Sequence, residues 1–242
     1  MVLLSLYRGT MMWMMSTSET SKVGGRHPHK TSVGRPAGRV TYRHGDLRRA
    51  LLEVGVALAR AGGPEAVVLR EATRRAGVVP NAAYRHFASR GGLLQAVRSA
   101  ALACLARAME DELARIPADA TPADAARASL RAIGTSYLRF ARQETGLFRT
   151  AFTVPGNAPG KALPEQAGAG GLGPFQLLGA ALDRMVAAGA LPKGRRAGAE
   201  YLAWSAVHGL GMLLIEGPLC GLSEMEEQAL GERVVAMVER GL

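Results

Sequence analysis

The stretch LREATRRAGVVPNAAYRHFASRGGLL, residues 69–94, decides the fold of this chain. Small and apolar residues recur in it at helical spacing up to Gly77, a residue type that relieves a sharp chain reversal. Pro80 then suits the first turn of a second short helix, in which Phe87 faces inward. The pattern predicts two short helices that cross through a tight turn, a helix-turn-helix.

The sequence around this motif predicts further helices. Leucines spaced by three and four residues run through residues 44–63 and end at Gly62-Gly63. Ser89 is the expected N-cap of a long helix that stops before Pro117, and Thr121 begins another. Residues 154–173 have loop composition, and three more amphipathic segments follow. No segment alternates with period two over the length of a strand, so the sequence predicts an all-α fold with about nine helices.

The positive charge is concentrated in the first part of the chain. The net charge is +10, and residues 1–100 carry 16 Lys and Arg against five Asp and Glu, whereas residues 101–242 carry 14 against 15. An N-terminal part that binds a polyanion explains this imbalance, because Lys and Arg neutralise phosphates. A basic surface that is merely solvated is the alternative. With 48% hydrophobic residues the chain is too apolar to be wholly disordered.

The N-terminal residues predict a flexible basic arm. The first fifteen residues lack the basic start of an export signal and are too short to span a bilayer, so we expect a cytoplasmic protein. Because they contain several methionines, we interpret them as an over-extended gene start or a tail. Cys104 and Cys220 are far apart in sequence and near no histidine cluster, so neither a disulfide framework nor a metal site is expected.

Residues 42–97, with the aromatic pair Tyr84 and Phe87, resemble the DNA-binding domain of the TetR family of bacterial transcriptional regulators. The segment RQETGLFRTAF, residues 142–152, followed by Trp204, His208 and Gly209, resembles the Trp-His-Gly type of C-terminal domain. The resemblance implies three parts: an arm at 1–40, a three-helix helix-turn-helix domain at 41–88, and a helical ligand-binding and dimerisation domain at 89–242. It implies a homodimeric repressor that binds a near-palindromic operator and is released by a small apolar molecule.

The resemblance also implies which residues touch double-stranded DNA. Asn81 and Ala82 would approach base edges, whereas most of the others would contact phosphates. Two arginines of the arm would enter the adjacent minor groove. The expected DNA-binding residues are Arg39, Arg43, Arg70, Asn81, Ala82, Tyr84, Arg85, His86 and Arg90.

This chain departs from the family pattern at three places. Val68 and Val79 stand where a Ser or Thr often caps each helix of the motif, and Gly91-Gly92 replace better helix formers. We expect weaker caps and lower intrinsic affinity for DNA, which the basic arm would offset.

Two further groups of residues are expected in the second domain. The small-molecule pocket is expected to be lined by Leu105, Tyr137, Phe148, Phe152, Phe175, Met185, Trp204 and His208. For His208 a role in the core or an interface is the favoured interpretation, and contact with the ligand is the alternative. The dimer interface is expected at Gly211, Ile215, Met225, Leu230, Val234 and Met237, on the last two helices.

Two other functions are compatible with part of the sequence. Residues 168–173 spell the G-x-G-x-x-G fingerprint of NAD-type oxidoreductases, but no strand precedes them and Pro174 follows at once. A DNA-binding protein indifferent to sequence would also explain the basic N-terminal part. No catalytic set and no cofactor site stands out, so we expect a protein that is not an enzyme.

Overall fold

The computed structural model describes residues 44–156 and 163–242, with side chains from Leu47 onward, so that Arg39 and Arg43 lie outside the described residues. Within this part the chain forms nine α-helices and no strand, as the sequence predicts. The helices are α1 (His44–Ala66), α2 (Leu69–Arg75), α3 (Pro80–Tyr84), α4 (Arg90–Leu113), α5 (Pro122–Gln143), α6 (Thr145–Thr153), α7 (Pro174–Ala187), α8 (Ala199–Ile215) and α9 (Glu224–Gly241). Single 3₁₀ turns, Pro164–Gln166 and Lys193–Arg195, lie in two connections.

The turn of the helix-turn-helix depends on Gly77. Its φ of 68° lies in the left-handed region, where a side chain would be strained. The amide of Val78 donates a hydrogen bond to the carbonyl of Thr73 at 3.0 Å, which closes the end of α2. Ala72 and Phe87 are buried in the small core beneath the turn. The close crossing predicted from the small residues of this motif is confirmed.

Glycines also end the regular part of α1. Gly62 and Gly63 leave the helical conformation, Gly63 with a φ of 70°, and a last turn follows through Pro64. The predicted stop at these two glycines is therefore confirmed as a kink. Helix α3 is shorter than the sequence suggests, because it ends at Tyr84 with Arg85 as its C-cap.

Helix α4 connects the helix-turn-helix to a bundle formed by α5–α9. The hydroxyl of Ser89 accepts a hydrogen bond from the amide of Gly92, and Thr121 caps α5 in the same way, so both predicted N-caps are confirmed. Helix α4 packs against α5, α6 and α7, and α5 packs in turn against α7, α8 and α9. A single hydrophobic core runs from α1 through α4 to α9.

Residues 44–156 and 163–242 contain neither a membrane-spanning helix nor a group of residues suited to a metal ion. None of the helices there is long and apolar enough to cross a bilayer. No three His, Cys, Asp or Glu residues in the same range come together in a way that could hold a metal ion. Cys104 is half-buried and Cys220 is exposed, and both are free thiols.

Candidate functional site

The outer face of α3 presents polar and aromatic side chains to solvent. Asn81 and Arg85 are exposed, and Tyr84 is 55% exposed despite its ring. Ala82 is half-buried and packs against the core, whereas His86 follows the helix in the turn after it. The spacing of three and four residues therefore places three of the residues expected at DNA on one exposed surface, Asn81, Tyr84 and Arg85, with Ala82 at its base.

Helix α2 carries an ion-pair cluster beside this surface. The carboxylate of Glu71 accepts hydrogen bonds from Arg74 and Arg75 at 2.7 Å, which lower the pKa of Glu71 to about 2. Arg70 is exposed and is in none of the ion pairs formed within the described part of the chain. Among these three arginines, Arg70 keeps its full charge available for a phosphate.

Helices α2 and α3 both begin without the side-chain cap that a Ser or Thr would provide. Val68 and Val79 occupy the N-cap positions of α2 and α3, and neither helix start has a side-chain cap. Val79 is 64% exposed, so its apolar side chain faces solvent at the start of the surface helix. The weaker caps expected from the sequence are confirmed, while their effect on DNA affinity stays a prediction.

Arg90 is engaged within the chain. Its Nε donates to the carbonyl of Val67 at 2.8 Å, and its Nη2 donates to the carbonyl of Pro64 at 2.7 Å. The carbonyl of Val67 lies in the link between α1 and α2, and that of Pro64 lies in the last turn of α1. The guanidinium group thus fixes the start of α4 to the helix-turn-helix and leaves Nη1 for a phosphate.

A cavity of about 280 Å³ lies inside the bundle. Six helices and the chain after α6 contribute to its wall, which is mostly apolar. The wall is formed by Arg98, Leu102, Met109, Leu130, Ile133, Gly134, Tyr137, Ala151, Phe152, Thr153, Val154, Pro155, Gly156, Gln166, Gly173, Pro174, Phe175, Leu178, Ala203, Trp204, Val207, Val235 and Val238. The volume is just below the range of about 300–1,000 Å³ that is typical of small-molecule sites.

Half of the residues expected in the pocket lie on this wall. Tyr137, Phe152, Phe175 and Trp204 line the cavity. The other four lie behind it: Leu105, Phe148 and Met185 are fully buried in the core, and His208 contacts Tyr137. An inward-facing apolar pattern is the same for a core residue as for a wall residue, which is why the sequence did not separate them.

One hydrogen-bond chain joins three aromatic residues behind and along the wall. The indole Nε1 of Trp204 donates to the hydroxyl of Tyr137 at 3.1 Å, and that hydroxyl lies 2.7 Å from Nδ1 of His208. Burial lowers the pKa of His208 and so favours the neutral ring, which in the tautomer protonated at Nε2 accepts a hydrogen bond from the Tyr137 hydroxyl at Nδ1. Burial likewise raises the pKa of Tyr137, which keeps its proton.

Two polar residues of the wall escaped sequence analysis. Arg98 lies on α4, and its Nε donates to the carbonyl of Val154 at 3.1 Å. Gln166 is only 7% exposed, and its Oε1 accepts from the amide of Leu163 at 3.3 Å. The signal for Arg98 was present, since it is four residues from both Leu94 and Leu102 and so shares their face of α4.

The glycine-rich loop is occupied by a carboxylate of the chain itself. The amides of Ala169 and Gly170 donate to Glu110 at 2.8 and 2.9 Å. A side chain at Gly168 would overlap the same carboxylate. Backbone amides in such a concave arrangement bind anions, and here the anion is Glu110 of α4.

The last two helices expose apolar side chains. Met225 and Met237 are exposed, as expected for an interface, whereas Ile215, Leu230 and Val234 are half-buried and pack against the core. Gly211 is buried, and a Cβ there would contact Phe148. The sequence missed Leu202 and Leu213, which are 66% and 43% exposed on α8. They follow a different stripe of that helix, with Gly209 open between them.

Two family descriptions match separate parts of the sequence. Residues 51–97 match the family described as bacterial regulatory proteins, tetR family. Residues 130–238 match the family described as Tetracyclin repressor-like, C-terminal domain, and this range contains Trp204, His208 and Gly209. Together the two matches cover more than half of the chain.

Solved structures share the fold. A protein of unknown function from Rhodococcus sp. RHA1 is similar with a TM-score of 0.65 and 26% identity over 84% of this chain and 98% of that one. A protein assigned to the TetR family of transcriptional regulators from Mesorhizobium loti MAFF303099 is similar with a TM-score of 0.53 and 11% identity, over 83% of this chain and 98% of that one. No protein of curated function matches the sequence.

The family matches fall on the elements that carry the two candidate sites. The first match covers the turn at Gly77 and the exposed face of α3, and the second covers much of the cavity wall. The helix-turn-helix, the helical second domain and both matches lead to the same assignment. This chain belongs to the TetR family of transcriptional regulators.

Proposed function

We propose that the chain is a homodimeric transcriptional repressor that binds a near-palindromic operator and is released by a small molecule in the cavity. The helix-turn-helix, at about residues 41–88, reads DNA. The helical domain, from about residue 89 to 242, binds the ligand and the second subunit. Residues 1–40 form a basic arm that adds phosphate contacts. The protein acts in the cytoplasm, where bacterial DNA lies.

The exposed face of α3 supports DNA reading. Asn81 is exposed at the start of the helix, and an asparagine pairs with adenine through N6 and N7. Tyr84, Arg85 and Arg70 surround it with donors suited to phosphates. The helix has only five residues, so one or two side chains read bases and the others fix the register.

The observation that carries the proposal is the position of α4 between the two sites. Arg98, Leu102 and Met109 of this helix form part of the cavity wall. At its N-terminal end, Arg90 holds the last turn of α1 and the link to α2 by two hydrogen bonds. A ligand that moves the wall therefore moves the helix that orients the DNA-binding surface.

Helix α6 offers a second connection. Phe152 and Thr153 line the cavity, while the start of the helix crosses α1 in close contact at Gly146. An exposed salt bridge from Arg60 of α1 to Glu144 spans the same crossing at 2.6 Å. A shift of α6 is therefore transmitted to the backbone of α1 rather than to flexible side chains.

The exposed apolar faces of α8 and α9 support the homodimer. Four apolar side chains face solvent in the single chain: Leu202, Leu213, Met225 and Met237. Exposed apolar surface of this kind marks interfaces between proteins. Gly209 lets a second helix approach α8 closely. To read two half-sites one turn of DNA apart, such a two-fold dimer would need its two copies of α3 about 34–36 Å apart.

We propose a binding protein rather than an enzyme. The amides of the glycine-rich loop, which an NAD-type oxidoreductase would use for phosphates, are held by Glu110. A DNA-binding protein indifferent to sequence would leave the ligand cavity without a role. Selection of bound sequences from a random DNA pool separates that alternative from a repressor that reads one operator.

Selection of bound sequences from a random DNA pool by the purified protein at about 150 mM salt tests the proposal. We expect one near-palindromic site, bound about 10³–10⁷ times more tightly than random duplex. Asn81→Ala should relax the preference at one base of each half-site, whereas Asp119→Ala, an exposed residue between α4 and α5, should change nothing. Absence of any enriched sequence contradicts the proposed function.

A further inference from the structure

The polar side chains of the cavity wall fall into two groups. The hydroxyl of Tyr137 and the indole nitrogen of Trp204 are hydrogen-bonded to each other, and Thr153 donates to the carbonyl of Arg149 at 2.7 Å. The second group is Arg98 and Gln166. Each of these two makes one hydrogen bond to the backbone and keeps further N–H groups without a partner among the described residues.

We propose that the cavity binds an organic acid with an apolar body, whose carboxylate is held by Arg98 and Gln166. This deepens the proposed function by naming the class of ligand, and it depends on that function only for the consequence that binding releases DNA. The binding event itself can be measured without DNA.

Arg98 carries a positive charge that no carboxylate of the described residues balances. None of the ion pairs formed within residues 47–156 and 163–242 includes Arg98, whereas five other arginines each have a carboxylate partner: Arg115, Arg131, Arg139, Arg142 and Arg196. Partial burial lowers the pKa of the Arg98 guanidinium. A charge withdrawn from water without a counter-charge is unfavourable, and a ligand carboxylate supplies that counter-charge.

The free atoms of both residues are donors. The Nη groups of Arg98 form a planar fork that matches the two oxygens of a carboxylate. With its Oε1 engaged by Leu163, Gln166 presents its amide nitrogen, which is also a donor. Gly156 lies directly against the guanidinium, where any side chain would overlap it.

The rest of the wall selects the body of the ligand. Leucine, valine, isoleucine and aromatic side chains surround the space, and the polar aromatic groups among them are already satisfied. Neutral polar groups of a ligand would find no free partner there. The size of the cavity, about 280 Å³, fits a medium-chain aliphatic or arylalkyl acid.

Calorimetry with the purified full-length chain tests this inference. The probes are decanoate and 4-phenylbutyrate, each compared with its primary amide, which has the same shape and no charge. We expect at least one of the two acids to bind once per chain and at least ten times more tightly than its amide. Arg98→Met should weaken the acid by about 10- to 100-fold and leave the amide unchanged. Arg107→Met, an exposed arginine on the same helix, is the matched control and should behave as wild type.

Gln166→Glu provides a second variant if Arg98→Met does not fold. Its carboxylate still accepts from the amide of Leu163, but it places a negative charge where the ligand carboxylate would bind, so acid binding should be lost. The inference is overturned if neither acid binds, if the amides bind as well as the acids, or if all folded variants bind the acids as wild type does. Selection of an operator by a chain that binds no acid would leave the proposed function intact. Acid binding by a chain that selects no DNA would support the inferred class of ligand and contradict the proposed function.

Discussion

Gly146 provides the sharpest test of how the two domains are joined. It is the second residue of α6, and a Cβ added there would overlap the carbonyl oxygen of Ala59 and lie 2.7 Å from that of Arg60. Both obstacles are backbone atoms of α1, which cannot rotate away as a side chain can. Gly146→Ala therefore forces the two helices apart.

The expected cost follows from two opposing effects. Overpacking at a close contact costs about 1–3 kcal/mol, while replacing glycine by alanine in a helix returns up to about 1 kcal/mol. We expect a net loss of about 1–2 kcal/mol in the free energy of unfolding. For a chain of this size this corresponds to a decrease in Tm of about 2–8 °C.

The matched control is Gly92→Ala, the same change in the first turn of α4. A Cβ at Gly92 would lie 3.9 Å from the Ser89 hydroxyl, an ordinary contact, so only the helix-propensity gain applies. Thermal unfolding followed by far-ultraviolet circular dichroism compares both variants with wild type. If Gly146→Ala is as stable as Gly92→Ala, the close crossing of α1 and α6 is refuted.

Four further results are expected. Tyr137→Phe removes the hydroxyl that joins His208 and Trp204, and the groups left without a partner should lower the free energy of unfolding by about 1–3 kcal/mol in denaturant titrations. Because burial lowers the pKa of His208, the unfolded chain takes up this proton first below pH 6.5, so stability should fall as the pH decreases from 7 to 5. His208→Gln should flatten that decrease, and an unchanged slope would refute the assignment. Val79→Ser should cap α3 and raise Tm, with a gain of about 0.5–2 kcal/mol. Leu202→Glu should dissociate the dimer in sedimentation equilibrium, whereas an unchanged dimer would exclude the exposed face of α8 as the interface.

The DNA-binding domain was the part most accessible to sequence. Its second and third helices are short, and the ends of its elements are marked by residues with a strong local preference: Gly63, Gly77, Pro80 and Ser89. These preferences arise within a few residues and do not depend on the rest of the chain. The end of α3 at Tyr84 was less accessible, because no breaker residue marks it and the following turn is set by tertiary packing.

The faces of α8 were not accessible in the same way. This helix, AEYLAWSAVHGLGMLLI, is apolar on almost every side, so periodicity cannot tell the side facing the core from the side facing solvent. Gly211, which was expected at the dimer interface, lies with His208 on the inner stripe of this helix. Leu202 and Leu213 lie on the outer stripe, and only the packing of α5 and α9 against the helix reveals it.

Arg90 and Arg98 set the distance along α4 between the proposed ligand site and the helix-turn-helix. They are eight residues apart on α4, which is about 12 Å along a helix axis. A carboxylate bound by the free Nη groups of Arg98 leaves the Nε bond to Val154 in place and attaches the ligand to the same helix that Arg90 fixes to the helix-turn-helix. The ligand can change DNA affinity only if it binds one position of α4 more tightly than the other. Arg98→Met should therefore weaken ligand binding and also leave operator affinity insensitive to ligand. If operator affinity still responds at saturating ligand in this variant, the coupling runs through α6 and Gly146 instead.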